Sequence, residues 1–444
     1  MVRTTLVAGL SALALSLTSS VAFAQTEINW WHSMGGVLGE RLEQIAADFN
    51  ASQSDYVVVP SYRGEYEESL VSTIAAFRAG EQPHIVQVYE VGTGTMMAAR
   101  GAVYPVYQLM ADHGSNFDPS AYLPVVTGYY TDTEGNMLSM PFNSSTPILY
   151  YNKDVFEAAG LDPETPPKTW DEIESFSQQI LDSGAAECGF VMAYTGTWLG
   201  TENLSALHNV PYGTLENGFG GLDAELTFNH EIAVRLWEKL KEWQDAGIYS
   251  YGGPAGGADN APKFYSGECA IYMNSSASRA GVLANADGFE VGFGMLPYFD
   301  DVEGAPQNSI IGGATLWVLN GHTDEEYDGV AEFLTYLSSP EVQAEWHQAT
   351  GYLPVTQAAY ELSQEQGYYD ENPGADIAIR QINLNPPTEN SKGVRFGNMP
   401  QIRTVVDEEL QAVLSGDKTA QEALDSAVER GNQILREFEA ANAQ

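Results

Sequence analysis

Residues 84–94 read His84-Ile85-Val86-Gln87-Val88-Tyr89-Glu90-Val91-Gly92-Thr93-Gly94, an apolar, β-branched run that closes on an acid and a glycine turn. The pattern predicts a strand over His84–Tyr89 that ends in Glu90, with a loop at Gly92-Thr93-Gly94. Upstream, Leu70, Ile74 and Phe77 recur at helical spacing and stop at Gly80. Before them come a β-branched run over Tyr56–Pro60 and a helical face of Leu42, Ile45, Ala46 and Phe49. Ile28-Asn29-Trp30-Trp31 reads as the first strand, with a turn at Gly35-Gly36. Repeated β-α-β units predict an α/β fold, a parallel sheet with helices on both faces.

Downstream, a second lobe is expected from about Pro141, with Pro147-Ile148-Leu149-Tyr150-Tyr151 as a strand. Thr169-Trp170-Asp171-Glu172 and Thr419-Ala420-Gln421-Glu422 have the Thr-x-x-Glu spacing that satisfies free amides at a helix start. Ser339-Pro340 predicts another start, with serine as cap and proline in the first turn. No repeat or low-complexity tract divides the chain, so the lobes share it and exchange segments more than once.

The chain has 444 residues, of which 44% are hydrophobic, enough for two packed cores. Arg3, an apolar run over Leu6–Ala22 and the small-x-small end Ala22-Phe23-Ala24 predict a cleaved signal peptide over 1–24 and export from the cytoplasm. The run is too short for a stable membrane span. A formal charge of −41 repels nucleic acid and anionic lipid, and is otherwise a solubility device in a salty medium. Cys188 and Cys269 form one disulfide or remain two buried thiols; spacing does not choose between them.

Signals for catalysis are absent. The seven histidines make no His-Glu-x-x-His pair and share no zinc spacing with cysteine. There is no Gly-x-Ser-x-Gly elbow and no Walker loop, so no metal, cofactor or enzymatic role is expected. Binding candidates are more definite. Glu90 closes a strand, where ligands of open α/β sheets sit, and its carboxylate suits hydroxyl groups; a solvated strand end is the plain alternative. Phe142-Asn143-Ser144-Ser145-Thr146-Pro147, Asn274-Ser275-Ser276-Ala277-Ser278 and Ile311-Gly312-Gly313-Ala314 offer hydroxyls and approachable backbone, or else ordinary turns. Trp198, in a Gly/Thr-rich stretch read as a loop, is either a pocket wall or core. Lys392, Arg395 and Arg403 cluster although bases are scarce. Surface salt bridges are expected for the first two. Arg403 is read as opening a helix, against the macrodipole, which makes sense if an anionic ligand lies there.

The chain resembles the periplasmic sn-glycerol-3-phosphate-binding proteins, within the maltose-binding-like solute receptors. The likeness rests on ordered motifs that include Trp31-His32-Ser33-Met34, Gln87-Val88-Tyr89-Glu90-Val91-Gly92-Thr93, Pro141–Pro147 and Pro306-Gln307-Asn308. It continues through Gly312-Gly313-Ala314, Glu345-Trp346-His347-Gln348, Thr350-Gly351-Tyr352-Leu353-Pro354 and Gly397–Arg403. It implies a two-lobe class II fold with a hinge and a central ligand cleft. One lobe would comprise 25–143 and 313–350, the other 144–312 and 351–444. It implies a periplasmic, monomeric receptor for sn-glycerol-3-phosphate that serves the permease of an ABC importer. The implied pocket is Tyr66, Glu90, Ser145, Ser275, Gly313, Tyr352 and Arg403, with Trp198 as a wall. Arg403, Tyr352, Ser275 and the Gly313 amide would hold phosphate, and Glu90 the glycerol hydroxyls. Members compared with this chain carry two tryptophans around residues 194–198. This chain keeps Trp198 but has Tyr194 or Thr195 at the other place, which leaves room for glycerophosphodiesters such as glycerophosphocholine. A receptor of the same fold for an uncharged oligosaccharide is the further alternative.

Overall fold

A computed structural model describes residues 25–99, 101–114, 117–254 and 260–442; the expected signal peptide lies outside them. The strands, in chain order, are β1 (Thr26–His32), β2 (Tyr56–Tyr62), β3 (Ile85–Tyr89), β4 (Val103–Tyr104), β5 (Met140–Ser145) and β6 (Pro147–Asn152). They continue as β7 (Cys188–Met192), β8 (Tyr249–Ser250), β9 (Cys269–Ser275), β10 (Val291–Gly294) and β11 (Gly312–Leu319).

These strands form two sheets. The first runs β2-β1-β3-β11-β4, with β5 also paired to β11; the second runs β10-β6-β9-β7-β8. The β-α-β reading holds for β1, β2 and β3, which are mutually parallel. The expectation of an all-parallel sheet does not. β11 runs antiparallel to β3 and β5, and β6 antiparallel to β9 and β10. The reversal comes from chain crossings: one buried residue, Thr146, separates β5 in the first sheet from β6 in the second, and β11 returns to the first. Because β5 still belongs to the first sheet, the change occurs after Ser145 and not at Pro141.

Aromatic side chains pack against both sheets. Trp30 meets Phe142 and Phe333 edge-on at 5.5 and 5.3 Å on the first. Trp170 stacks on Trp243 at 5.8 Å beside the second. Both Thr-x-x-Glu boxes form, at Thr169/Glu172 and Thr419/Glu422. Pro340 opens its helix as expected, but Ser339 does not cap it, since its hydroxyl turns to the Tyr336 carbonyl. On the helix Tyr66–Ala79 the buried face is Ser69, Leu70 and Thr73, and Ile74 is exposed. Cys188 and Cys269 lie side by side on β7 and β9 and form a disulfide. Among the described residues no helix is long and apolar enough to cross a membrane.

Candidate functional site

Glu90 follows β3 directly and is 5% exposed. The expected loop after it is instead a tight turn over Glu90–Gly92 that runs into the helix Thr93–Ala98. Gly92 and Gly94 act as close-packing residues here. A Cβ on Gly94 would lie 2.5 Å from the Phe396 carbonyl oxygen, so this turn abuts the chain leading to Arg403.

Arg403 does not open its helix. That helix spans Met399–Leu414, capped by Asn398 in the left-handed region, and Arg403 lies one turn inside it. The expected misfit with the helix dipole is therefore smaller than the sequence suggested. Its anions are protein carboxylates. Nη2 donates to Glu90 Oε1 at 2.8 Å and to Glu202 Oε2 at 2.7 Å, while Nε donates to Glu202 Oε1 at 2.8 Å. Burial opposes the guanidinium charge, but Glu202 and Glu90 outweigh it and hold Arg403 protonated. Burial raises the Glu90 carboxyl above its ordinary value, with Arg403 working against the rise and Glu202 adding to it.

Glu202 was missed by the sequence reading. It sits in Thr195–Asn203, a π-helix with all nine residues buried that takes in most of the Tyr194–Gly200 stretch expected to be a loop. Asn203 Nδ2 donates to the Trp198 carbonyl and Thr201 Oγ1 to that of Gly196, both five residues back, which supports the wide turn. A signal was present. Between Glu187 and Glu216 it is the single acid or base, histidine aside, in a chain with 60 acids. A lone acid in so apolar a run is buried and paired more readily than solvated.

The phenols gather beside the acids. Tyr66, the first residue of its helix, stacks flat on Tyr89 at 5.1 Å. Its hydroxyl accepts from Asn143 Nδ2 at 3.2 Å, and Gln87 Nε2 in turn donates to Asn143 Oδ1 at 2.9 Å. Tyr352 faces the same Tyr66–Asn143 pair, and burial pushes its phenol up to about 12, so it remains a neutral donor. Two contacts fix it: its ring stacks on Trp346 at 5.6 Å, and its carbonyl accepts from His347 Nδ1 at 2.5 Å. His347 Nε2 then accepts from Tyr369 at 2.9 Å, and burial lowers the imidazole to about 4, so the ring is neutral.

Backbone supplies the remaining wall. Ser145 pairs with Gly312 and Ser144 with Gly313 across β5 and β11. Gly313 has φ +90, and a Cβ there would stand 1.9 Å from the Asn143 carbonyl oxygen. Gly312 is covered by the Trp198 indole, which also meets Tyr194 edge-on at 6.0 Å. Ser275 ends β9 opposite Pro147, and its hydroxyl accepts from the Ala277 amide. Gly351 approaches the Ser276 carbonyl, which brings Tyr352 next to this serine turn. The expected residues thus form a chain of contacts around the seam between the sheets.

Bacterial extracellular solute-binding proteins match residues 44–375 as a family. The chain is 53% identical over 432 residues to the sn-glycerol-3-phosphate-binding periplasmic protein UgpB of Salmonella paratyphi A, with 97% of each covered. It is equally similar to UgpB of Yersinia pseudotuberculosis. The chain belongs to this solute-binding family. Among solved structures, UgpB from Mycobacterium tuberculosis in complex with glycerophosphocholine is similar with a TM-score of 0.78 at 21% identity, covering 94% of this chain and 100% of that one. A cyclic alpha-maltosyl-1,6-maltose binding protein from Arthrobacter globiformis gives 0.73 at 23%, covering 93% and 100%. At these identities the likeness establishes the maltose-binding-like fold.

The other two bases of the cluster in this solute-binding protein, Lys392 and Arg395, have partners elsewhere. Lys392 pairs with Glu216, as expected of a surface lysine. Arg395 makes no such bridge: it is buried, donates to the Tyr129 and Thr131 carbonyls and lies 4.2 Å over Phe219. Among the described residues one metal-like cluster is found, His84, His322 and Glu326. His84 Nδ1 accepts from the Asn29 amide at 2.9 Å, so Nε2 carries the proton and points at Glu326. A metal at Nε2 would move the ring proton to Nδ1 and cost the hydrogen bond from the Asn29 amide, so the donor set does not suit an ion.

Proposed function

We propose that this chain is a periplasmic receptor that captures sn-glycerol-3-phosphate in the cleft and delivers it to the permease of an ABC importer. It would act as a monomer and not as an enzyme, with 1–24 as its export signal. Residues 25–143 with 313–350 form one lobe in this reading, and 144–312 with 351–444 the other.

The observation that carries it is Arg403, whose side chain is 12% exposed and whose Nη1 has no hydrogen-bond partner among the described residues. Phenols of Tyr66 and Tyr352, the Ser145 and Ser275 turns, Gly313 and the Trp198 wall surround the same seam. Charge-assisted bonds contribute about 1.5–3 kcal/mol each, so a few give roughly micromolar affinity, about −8 kcal/mol. Glu90 accepts from the glycerol hydroxyls in this scheme. Capture would proceed by hinge closure of the lobes.

A second reading takes a glycerophosphodiester such as glycerophosphocholine as the preferred ligand. Its support is the region of Tyr194 and Thr195, where the resemblance implies a second tryptophan and Tyr194, with φ 51, packs edge-on to Trp198. Calorimetric titration of refolded protein with both compounds tests the two readings. Binding of sn-glycerol-3-phosphate, lost in Arg403→Ala, is the expected result. Binding of glycerophosphocholine alone would favour the second reading, and binding of neither would sink both.

A further inference from the structure

An arginine that must greet an anion in a site already holding two carboxylates raises a problem of orientation. Its guanidinium has five N–H bonds in one plane. Glu202 takes the Nε–H and one Nη2–H through its two oxygens, and Glu90 takes the other Nη2–H. Both Nη1 hydrogens are left without a partner among the described residues. Two planar groups joined by paired bonds share a plane, so the Glu202 contact sets the direction of Nη1, whereas a single bond to Glu90 leaves the plane free to turn.

The two acids also differ in where they are anchored. Glu90 follows β3 of the first sheet, so in the two-lobe reading its bond to Arg403 joins one lobe to the other. Thr195–Asn203 packs directly on the helix Met399–Leu414, with Gly196 against Leu410, so Glu202 and Arg403 belong to one packed unit. Glu202 can hold Arg403 whether or not the lobes have closed. Its side chain is 1% exposed, and burying a carboxylate so fully is tolerable only because the pairing is bidentate.

We infer that Glu202 is the positioning residue of the anion site, clamping Arg403 along its Nε–Nη2 edge so that Nη1 is turned toward the ligand's phosphate. The inference rests on the reading of Arg403 as the phosphate-binding residue. It makes a prediction opposite in sign to simple electrostatics. Removing a negative charge beside an anion site should strengthen anion binding by Coulomb's law. Removing a clamp should weaken it.

The test is titration of wild type, Glu202→Gln and Glu202→Asp with sn-glycerol-3-phosphate, with thermal melting to establish that each is folded. Glutamine is nearly isosteric, but its amide turns a donor toward the Arg403 donors. Glu202→Gln should bind about tenfold more weakly or worse, the loss of roughly one charge-assisted bond. Glu202→Asp, which keeps the charge one methylene shorter, should also weaken binding, but less. The Arg403 Nε–H proton resonance should be slow to exchange in wild type, lost in Glu202→Gln and regained in Glu202→Asp, a signature that a merely structural acid would not give. Unchanged or tighter binding by folded Glu202→Gln overturns the inference and leaves the functional reading standing. If that variant does not fold, wild-type affinity in Glu202→Asp overturns it equally. No binding by wild type would remove the functional reading and this inference with it.

Discussion

Arg403 and Glu202 meet edge to edge, with Nε and Nη2 at 2.8 and 2.7 Å from the two carboxylate oxygens, and Glu90 closes the group from the opposite sheet. One half-buried cation therefore compensates two buried acids, and each of the three depends on the others.

Loss of the cation should be costly. Arg403→Ala leaves Glu90 and Glu202 buried without a counter-charge, and breaking such a group destabilises by about 3–5 kcal/mol. The Glu90 carboxyl, already raised by burial, would then lose the Arg403 charge that works against the rise and move further up. A raised acid contributes stability below its unfolded value and loses it as pH rises through the folded one. Denaturant melts should therefore show the variant's deficit small near pH 4 and growing toward pH 8. A deficit independent of pH would contradict the buried-charge account.

Glu90→Gln should separate stability from binding. Because burial raises the Glu90 carboxyl in the native protein, ionising it there is less favourable than in the unfolded chain. A neutral glutamine that still accepts from Arg403 Nη2 should melt at the same or a higher temperature at pH 7.5. Its affinity for sn-glycerol-3-phosphate should fall, since the hydroxyl groups lose a charged acceptor. A clear drop in melting temperature would show that the ion pair, not the burial, dominates.

The disulfide joins residues 81 apart in sequence on adjacent strands. Cross-linking a loop of that length typically contributes about 2–5 kcal/mol, largely through the unfolded chain. The double variant Cys188→Ala/Cys269→Ala should unfold at lower urea concentration while keeping its ligand affinity, because neither cysteine touches the Arg403 group. An unchanged midpoint would show that the bond does not constrain the unfolded state.

Adjacent glycines of β11 should respond differently to a methyl group. Gly313→Ala meets backbone, the Asn143 carbonyl at 1.9 Å, at a φ of +90 that L-residues resist, so it should unfold the β5–β11 edge. Gly312→Ala instead meets the Trp198 ring at 2.3 Å, and a side chain can yield. Overpacking there should cost about 1–3 kcal/mol and displace the indole. Ligand affinity should fall in Gly312→Ala even where melting shows it folded; native affinity would place Trp198 outside the pocket wall.

Local chemistry made much of this legible. The strand run at residues 84–89, the Thr-x-x-Glu starts at Thr169 and Thr419 and the proline at Pro340 are short-range devices, and each formed as its spacing required. Glu90, Gly313 and Arg403 stood out because an acid at a strand end, paired glycines and a rare base are visible without partners. Asn143, by contrast, was read only as one polar residue in a turn, since its bonds to Tyr66 and Gln87 join positions far apart in the chain.

The sequence by itself determined the α/β class and the helix starts, because each follows from interactions within a few residues. Tertiary structure alone decided the strand directions of β11 and β5, the disulfide, the π-helical turn of Thr195–Asn203 and the partners of Arg403. Those depend on which distant segments meet. A buried charge takes its partner from whatever the fold brings within hydrogen-bond reach, and for Arg403 that partner is an acid 201 residues away.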